Sequence, residues 1–377
     1  MAIAIPSYAQ ESLRVGAARV EIWKPLVQNQ RVALVVNPTS MVDSVHLVDL
    51  MLAEGVQVQK VFAPEHGFRG EADAGAKIED GTDPKTGLPI VSLYGRNKKP
   101  SPEMLADIDV VVFDIQDVGA RFYTYISTMH YVMEACAEEG KRVIVLDRPN
   151  PNGDYVDGPV REPDMKSFVA MHPIPVVHGL TVGELATMIN GEGWLTGEMV
   201  CDLVVVTLEG WDHSQPYTLP VAPSPNLPNQ QSIRWYPSLC LLEGTPISVG
   251  RGTPWPFQVV GFPAHAFGEF SFRPVSIPGK ATYPKHQNVQ CYGLDLREQE
   301  APRAFSLGII LEMYRKTPAE EKDAFFEEFF TTLAGTPELA EQIAANFSEE
   351  EIRWSWQEKL DAYKALRKQY LLYADFE

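Results

Sequence analysis

The sequence is poor in positive charge: 32 Lys and Arg stand against 50 Asp and Glu, a formal net charge of −18 at pH 7. No Lys/Arg-rich stripe with interleaved aromatics breaks that balance, so there is no basic field for a nucleic-acid backbone. One or two arginines still suffice to hold a single carboxylate. No apolar run reaches the roughly 18 residues a membrane-spanning helix needs. Cysteine is sparse and scattered. Cys136, Cys201, Cys240 and Cys291 show no CxxC or Cys/His ligand spacing, and each lies in or beside an apolar stretch such as "SLCLLEG". Buried free thiols are the simplest reading, with a bridge in an exported protein as the alternative.

Several chemical signatures are also missing. The first βα junction reads "VVNPTSMVDS" rather than GxGxxG, and no GxxxxGK[ST] occurs, which argues against NAD and ATP. Asn37 and Thr39 in that junction read equally as donors to a polar ligand or as caps of the following helix. There is no GxSxG elbow and no HxxEH or HxH spacing. The expectation is a protein without cofactor or metal.

The 377 residues are 45% apolar and 22% charged, an ordinary globular composition with length enough for two domains. The first twelve, "MAIAIPSYAQES", read as the end of an export signal, with small Ser7 and Ala9 at the −3 and −1 positions of a cleavage site. An exported, periplasmic protein is therefore expected, residues 1–11 being the signal remnant.

β-branched runs then alternate with helical periodicity: "RVALVV" (31–36), a helix around "SVHLVDLMLAEG", "VQVQKVF" (56–62), "DVVVFDI" (109–115), a helix over "YISTMHYVMEACAEEG" and "RVIVLD" (142–147). Strands apolar throughout, separated by amphipathic helices, predict an α/β, Rossmann-like, doubly wound and mostly parallel sheet. The pattern continues through "PIPVVHG", a helix opened by the capping box Thr181/Glu184, and "CDLVVVTL" (201–208). Residues 211–265 are rich in Pro, Gly, Trp and Asn and read as long functional loops. Beyond them lie two strand-like pieces near "FRPVSI" and "VQCYGLDL", then helices. The last is capped at Ser348/Glu351 and carries the apolar stripe Ile352, Trp356, Leu360, Tyr363, Leu366 and Tyr370. The expected division is a catalytic domain over 12–245 and a smaller α+β auxiliary domain over 246–377.

In open α/β sheets ligands bind beyond the carboxyl ends of the strands. Three successive runs here end in polar clusters: Glu65, His66 and Arg69 after the second, Asp114, Gln116, Asp117, Arg121, Tyr123 and Tyr125 at the third, and Arg148, Asn150 and Asn152 after the fourth. Carboxylates, amides, tyrosines and arginines form the inventory of glycoside hydrolysis, which needs an acid for the leaving oxygen and a second group at the anomeric carbon. Glu65, beside Phe62 and Phe68, is the acid candidate, and His66 would orient it or bind substrate. An exposed Glu65 paired with Arg69 would instead make an ordinary surface loop. His66, Asp114, Asp117 and His130 form an alternative metal-ligand set.

The blocks "FAPEHGFRGEADAG", "VVFDIQDVGARFYTYISTM", "VLDRPNPNG", "PIPVVHGLTVGELA", "PSPNLPN" and "CLLEGT…GRGTPWPF", in this order, closely resemble the NamZ-type exo-β-N-acetylmuramidase family. The resemblance runs from about residue 13 to the C-terminus. It implies an exported glycosidase of peptidoglycan recycling that removes β-1,4-linked N-acetylmuramic acid from non-reducing ends of fragments such as MurNAc-GlcNAc. It also implies a Rossmann-like domain with a smaller C-terminal domain and a site between them. The family's proposed catalytic glutamate falls on Glu65. Asp114 and Asp117 are candidates to orient the 2-acetamido group, and retention and inversion both stay open. Asn226, Glu243 and Arg251 join the expected binding residues. Where relatives commonly read EGTNLSEGRGT, this chain has Pro246 and Val249, which removes the Asn and the second acid. The lactyl carboxylate of muramic acid calls for a cation, with Arg121, Arg148 and Arg251 as candidates. A non-catalytic wall-glycan binder is the competing class.

Overall fold

The computed structural model describes residues 13–65, 67–69, 81–95 and 97–377. The export reading at residues 1–12 and the candidate His66 lie outside them.

Helix α1 (Val20–Val27) precedes strand β1 (Arg31–Val36), which is followed by α2 (Leu47–Ala53) and β2 (Gln57–Ala63). Short strands β3 (Gly81–Thr82) and β4 (Pro89–Ser92) come next, then β5 (Val110–Asp114), α3 (Tyr125–Glu138), β6 (Arg142–Leu146), α4 (Val182–Gly191) and β7 (Asp202–Val206). Together they form a seven-stranded sheet in the order β3-β4-β2-β1-β5-β6-β7. The strands run parallel except β3, which is antiparallel to β4. "PIPVVHG" adds no strand to it; Val177 makes isolated bridges to Ala120 and Asp157.

The strand periodicity explains why both faces are covered. Ala33, Val35, Val111, Phe113, Val143 and Val145 point into one core with α3 and α4. Their neighbours Val32, Leu34, Val36, Val110, Val112, Ile144 and Leu146 point into another with α1 and α2. Burial on both faces demands apolar residues at every position, which is why the strands are continuous apolar runs. The capping box at Thr181/Glu184 is formed.

Helix α5 (Gln230–Leu239) leads to a three-stranded antiparallel sheet of β8 (Val259–Phe262), β9 (Phe270–Phe272) and β10 (Cys291–Asp295), in the order β8-β10-β9. Helices α6 (Gly308–Lys316), α7 (Glu328–Ala334), α8 (Glu338–Ala344) and α9 (Glu349–Arg367) complete the chain. The α9 stripe packs as core: Ile352, Trp356, Leu360 and Tyr363 join the same cluster as α3 and α4. All four cysteines are free and buried.

Candidate active site

The parallel pairing of β2 with β4 sets the site. Ala63 is in register with Ser92, so the chain leaves both strands at the same level. Two residues beyond each lie Glu65 and Tyr94, and the Tyr94 hydroxyl donates to Glu65 Oε1 at 3.1 Å. The Tyr125 hydroxyl, at the start of α3, donates to the Glu65 backbone carbonyl at 3.3 Å. Burial, then the charge and hydrogen bond of Glu65, push the Tyr94 phenol up to about 12, so it stays a proton donor near neutrality.

Glu65 is half-buried in the wall of a cavity of about 220 Å³. Phe122, Tyr123, Tyr125, Tyr236 and Phe257 supply aromatic surface to it. Their rings are mutually locked: Tyr123 meets Tyr125 edge-on with centroids 5.1 Å apart, and Tyr236 meets Phe257 at 4.9 Å. The Tyr123 hydroxyl is spent on the Pro223 carbonyl at 2.7 Å. Burial raises the pKa values of Tyr123 and Tyr125, so the aromatic wall is neutral.

The polar groups of the same cavity come from the segments on either side of α5. Glu243 and Arg251 form a two-pronged ion pair, Nε to Oε1 at 2.5 Å and Nη2 to Oε2 at 3.0 Å. Burial works against the Arg251 charge, but Glu243 outweighs it and holds the guanidinium above its ordinary range. Arg251 also lies 5.2 Å from the Phe257 ring centroid. Asn226 lines the cavity while its amide donates to the Lys280 carbonyl at 2.7 Å. Val249 is buried in the core at 4% exposure.

Of the residues expected from the sequence, Glu65, Tyr123, Tyr125, Asn226, Glu243 and Arg251 are brought together here. The other described candidates are bonded to protein partners outside this cavity. Arg121 is fully buried and donates to the carbonyls of Pro159, Ile174, Leu333 and Ala334. Arg148 clamps Asp114 at 2.5 and 2.9 Å, an ion pair buried on both sides, so neither is free to act on a sugar. Gln116 donates to the carbonyls of Asp117 and Pro149, and Asn150 to that of Leu180. These polar groups stitch the strand-end loops to one another.

Asp117 accepts from the Gly119 N–H at 2.8 Å and lies 3.2 Å from His178 Nε2, with Oδ1 buried and unpartnered. Because His178 Nδ1 accepts from the Leu180 N–H, its Nε2 carries the proton that Asp117 receives. Arg69 does not pair with Glu65. It grips Asp83 at 2.9 and 3.0 Å and Asp49 at 3.1 Å. Burial opposes the Asp83 charge, but Arg69 holds that carboxyl down at about 2. Arg69 thus anchors the loop that carries Glu65.

His130, the fourth residue of the metal alternative, lies 3.2 Å from His172, and burial lowers its pKa to about 4. Among the described residues no group of three or more His, Cys, Asp or Glu side chains could hold a metal ion. Tyr94, Tyr236 and Phe257 were not singled out from the sequence. "LPIVSLYG" does contain a signal for Tyr94, a short apolar run opened by Pro and closed by Gly, as the first position of a strand allows.

Comparison with known proteins accords with this architecture. Family models for exo-beta-N-acetylmuramidase NamZ match the chain over residues 32–231 (N-terminal model) and 234–373 (C-terminal model). A peptidoglycan beta-N-acetylmuramidase NamZ from Bacillus subtilis is 38% identical over 372 residues, covering 93% of this chain and 89% of that protein. Two crystal structures of DUF1343 family proteins from Bacteroides fragilis superpose with TM-scores of 0.89 and 0.83, at 42% and 31% identity. Each covers 96% of this chain and 99% of its own. With both halves of the sequence matched and the fold shared, the chain belongs to the NamZ exo-β-N-acetylmuramidase family.

Proposed function

We propose that this protein is an exo-acting glycoside hydrolase that releases N-acetylmuramic acid from the non-reducing end of β-1,4-linked peptidoglycan fragments, with MurNAc-GlcNAc as the minimal natural substrate, in cell-wall turnover. Family membership supports the broader part of this reading, a peptidoglycan β-N-acetylmuramidase. The observation that carries the chemistry is Glu65: a half-buried carboxyl with one oxygen held by Tyr94 and the other unbonded to any described residue, in an aromatic-walled cavity. Such a carboxyl can give its proton to the leaving oxygen as the C1–O bond breaks and its electron pair passes to that oxygen. Water supplies the replacing oxygen and the proton that restores the acid.

Two features support exo action on a muramic residue. The cavity shares Tyr125 and Ser224 with an outer recess of about 470 Å³ walled by Pro38, Pro223, Pro225 and Pro278. One terminal sugar would occupy the inner space and the remaining glycan the outer one. Arg251 offers Nη1, which is unbonded among the described residues, to the lactyl carboxylate.

Glu65→Gln should lower kcat on a chromogenic β-N-acetylmuramide by about 10²- to 10⁴-fold while leaving substrate binding intact. Retained activity would remove Glu65 as the acid, and loss of activity with chelator would point to a metal-dependent hydrolase instead. We also propose a periplasmic location, on the small residues Ser7 and Ala9 of the signal-like segment. Cell fractionation tests it, since recovery only from the cytoplasm would end that part of the proposal.

A further inference from the structure

We propose that Tyr94 is the positioning residue of the catalytic acid, deciding which oxygen of Glu65 carries the proton; this rests on the reading of Glu65 as that acid.

The argument begins with sheet geometry. Parallel neighbours advance together, so the Ala63/Ser92 register brings the residues two beyond each strand to one place. One is the carboxyl, the other a phenol, 3.1 Å apart. The phenol, neutral throughout the working range at a pKa of about 12, donates to Oε1. When Glu65 is protonated that bond favours its hydrogen on Oε2, the oxygen without a partner among the described residues. Without that bond the proton could sit on either oxygen and the carboxyl could turn about its last torsion, which is broad and roughly two-fold.

The restraint comes from both ends of the residue. Tyr125 binds the Glu65 carbonyl while Tyr94 binds its side chain, so backbone and carboxyl are fixed separately. Tyr94 is not among the residues that line the cavity. Among the described residues, the other titratable groups lining the cavity with Glu65 are Tyr123, Tyr125, Tyr236 and Cys240, held neutral by burial, and the Glu243–Arg251 pair, internally compensated. No described lysine or arginine binds the Glu65 carboxyl, which leaves Tyr94 as the group that orients it.

After proton transfer the same hydroxyl remains bonded to the carboxylate just formed. Hydrogen bonds to an ionised group are the stronger kind, so this contact tightens as the leaving oxygen takes its proton. Tyr94 thereby assists the step in which the acid is spent.

The test uses leaving-group dependence, because a purely structural role would affect all substrates alike. The full-length protein and its Tyr94→Phe variant are assayed on a β-muramide with an activated dinitrophenyl leaving group and on the disaccharide MurNAc-GlcNAc. The activated substrate needs little proton help, whereas the disaccharide needs it fully. Tyr94→Phe should cut kcat on the disaccharide by about 10- to 100-fold and on the activated substrate by less than about 3-fold, with KM little changed. Tyr94→His, which keeps a donor, should recover part of the loss and also serves if the Phe variant fails to fold.

Glu65→Gln run beside them separates the two levels of the argument. If it shows the same substrate ordering more steeply but Tyr94→Phe slows both substrates equally or neither, Tyr94 is not the positioning residue and Glu65 stands. If Glu65→Gln itself spares the disaccharide, the acid assignment falls and the role of Tyr94 with it.

Discussion

Arginine illustrates how differently one side chain type is used within a short distance of this site. Arg148 and Arg121 are buried and bonded to protein acceptors, whereas Arg251 keeps one edge in the cavity. A charge-assisted hydrogen bond contributes about 1.5–3 kcal/mol, or about 10- to 100-fold in kcat/KM. Arg251→Met should therefore lower kcat/KM for the muramide by that factor relative to the matched N-acetylglucosaminide, which has no lactyl carboxylate. The substitution also strands Glu243, whose charge would repel the substrate. The double variant Glu243→Gln/Arg251→Met removes that repulsion and should retain the lost preference, so an unchanged muramide-to-glucosaminide ratio in both variants would eliminate Arg251 as the carboxylate partner.

Elements, more than single residues, decided what was legible in the sequence. The central strands announced themselves because burial on both faces makes each an unbroken apolar run: β1 matches its expected bounds, and β2, β5, β6 and β7 fall within a residue or two. Strand β4 is short, opens with Pro89 and is half-exposed, so its periodicity was too weak to register. With β4 went Tyr94, since its closeness to Glu65 depends on strand pairing. The polar clusters at the strand ends were visible, but composition alone could not separate residues facing the cavity from those bonding neighbouring loops. Arg121 is the clearest case. It reads as a carboxylate ligand, yet its guanidinium caps the last turn of α7, donating to the Leu333 carbonyl at 3.0 Å and that of Ala334 at 2.6 Å. These carbonyls have no partner within the helix, and a cation there also suits the helix dipole. Arg121→Met would leave the buried carbonyls of Pro159, Leu333 and Ala334 without a donor, at about 1–3 kcal/mol for each that cannot find water, while that of Ile174 keeps the Arg161 N–H. The expected result is a loss of stability on the order of 3 kcal/mol or more in urea unfolding, with a folded fraction that still distinguishes muramide from glucosaminide.

At the scale of the whole molecule, the chain's end is folded back onto the parallel sheet. The Tyr373 hydroxyl donates to Asp147 Oδ2 at 2.5 Å and accepts from the Leu208 N–H at 2.9 Å, while the Leu372 N–H reaches Glu184 and the His213 N–H reaches the Ala374 carbonyl. Asp147 sits just past β6, so this clasp ties the C-terminal helices to the sheet that carries the site. Burial raises the Asp147 carboxyl to about 6, with Glu184 adding to the rise and Tyr373, Thr181 and the Gly183 N–H opposing it. The sign follows from proton binding. Between the ordinary value of 3.8 and about 6 the folded state holds this proton more tightly than the unfolded chain. The Asp147 contribution to stability therefore falls as pH rises through that window and is constant above it. Tyr373→Phe removes a hydrogen bond to the ionised carboxylate and leaves the Leu208 N–H unpaired. The second loss is independent of pH, but the first is felt only where Asp147 is charged. Tyr373→Phe should thus cost about 1–3 kcal/mol more at pH 7.5 than at pH 4.5 relative to the unmodified chain, measured by urea denaturation at both values. In an Asp147→Asn background that pH-dependent difference should vanish while the constant loss remains; a penalty from Tyr373→Phe equal at both pH values in the parent chain would show that the clasp does not act through the Asp147 charge.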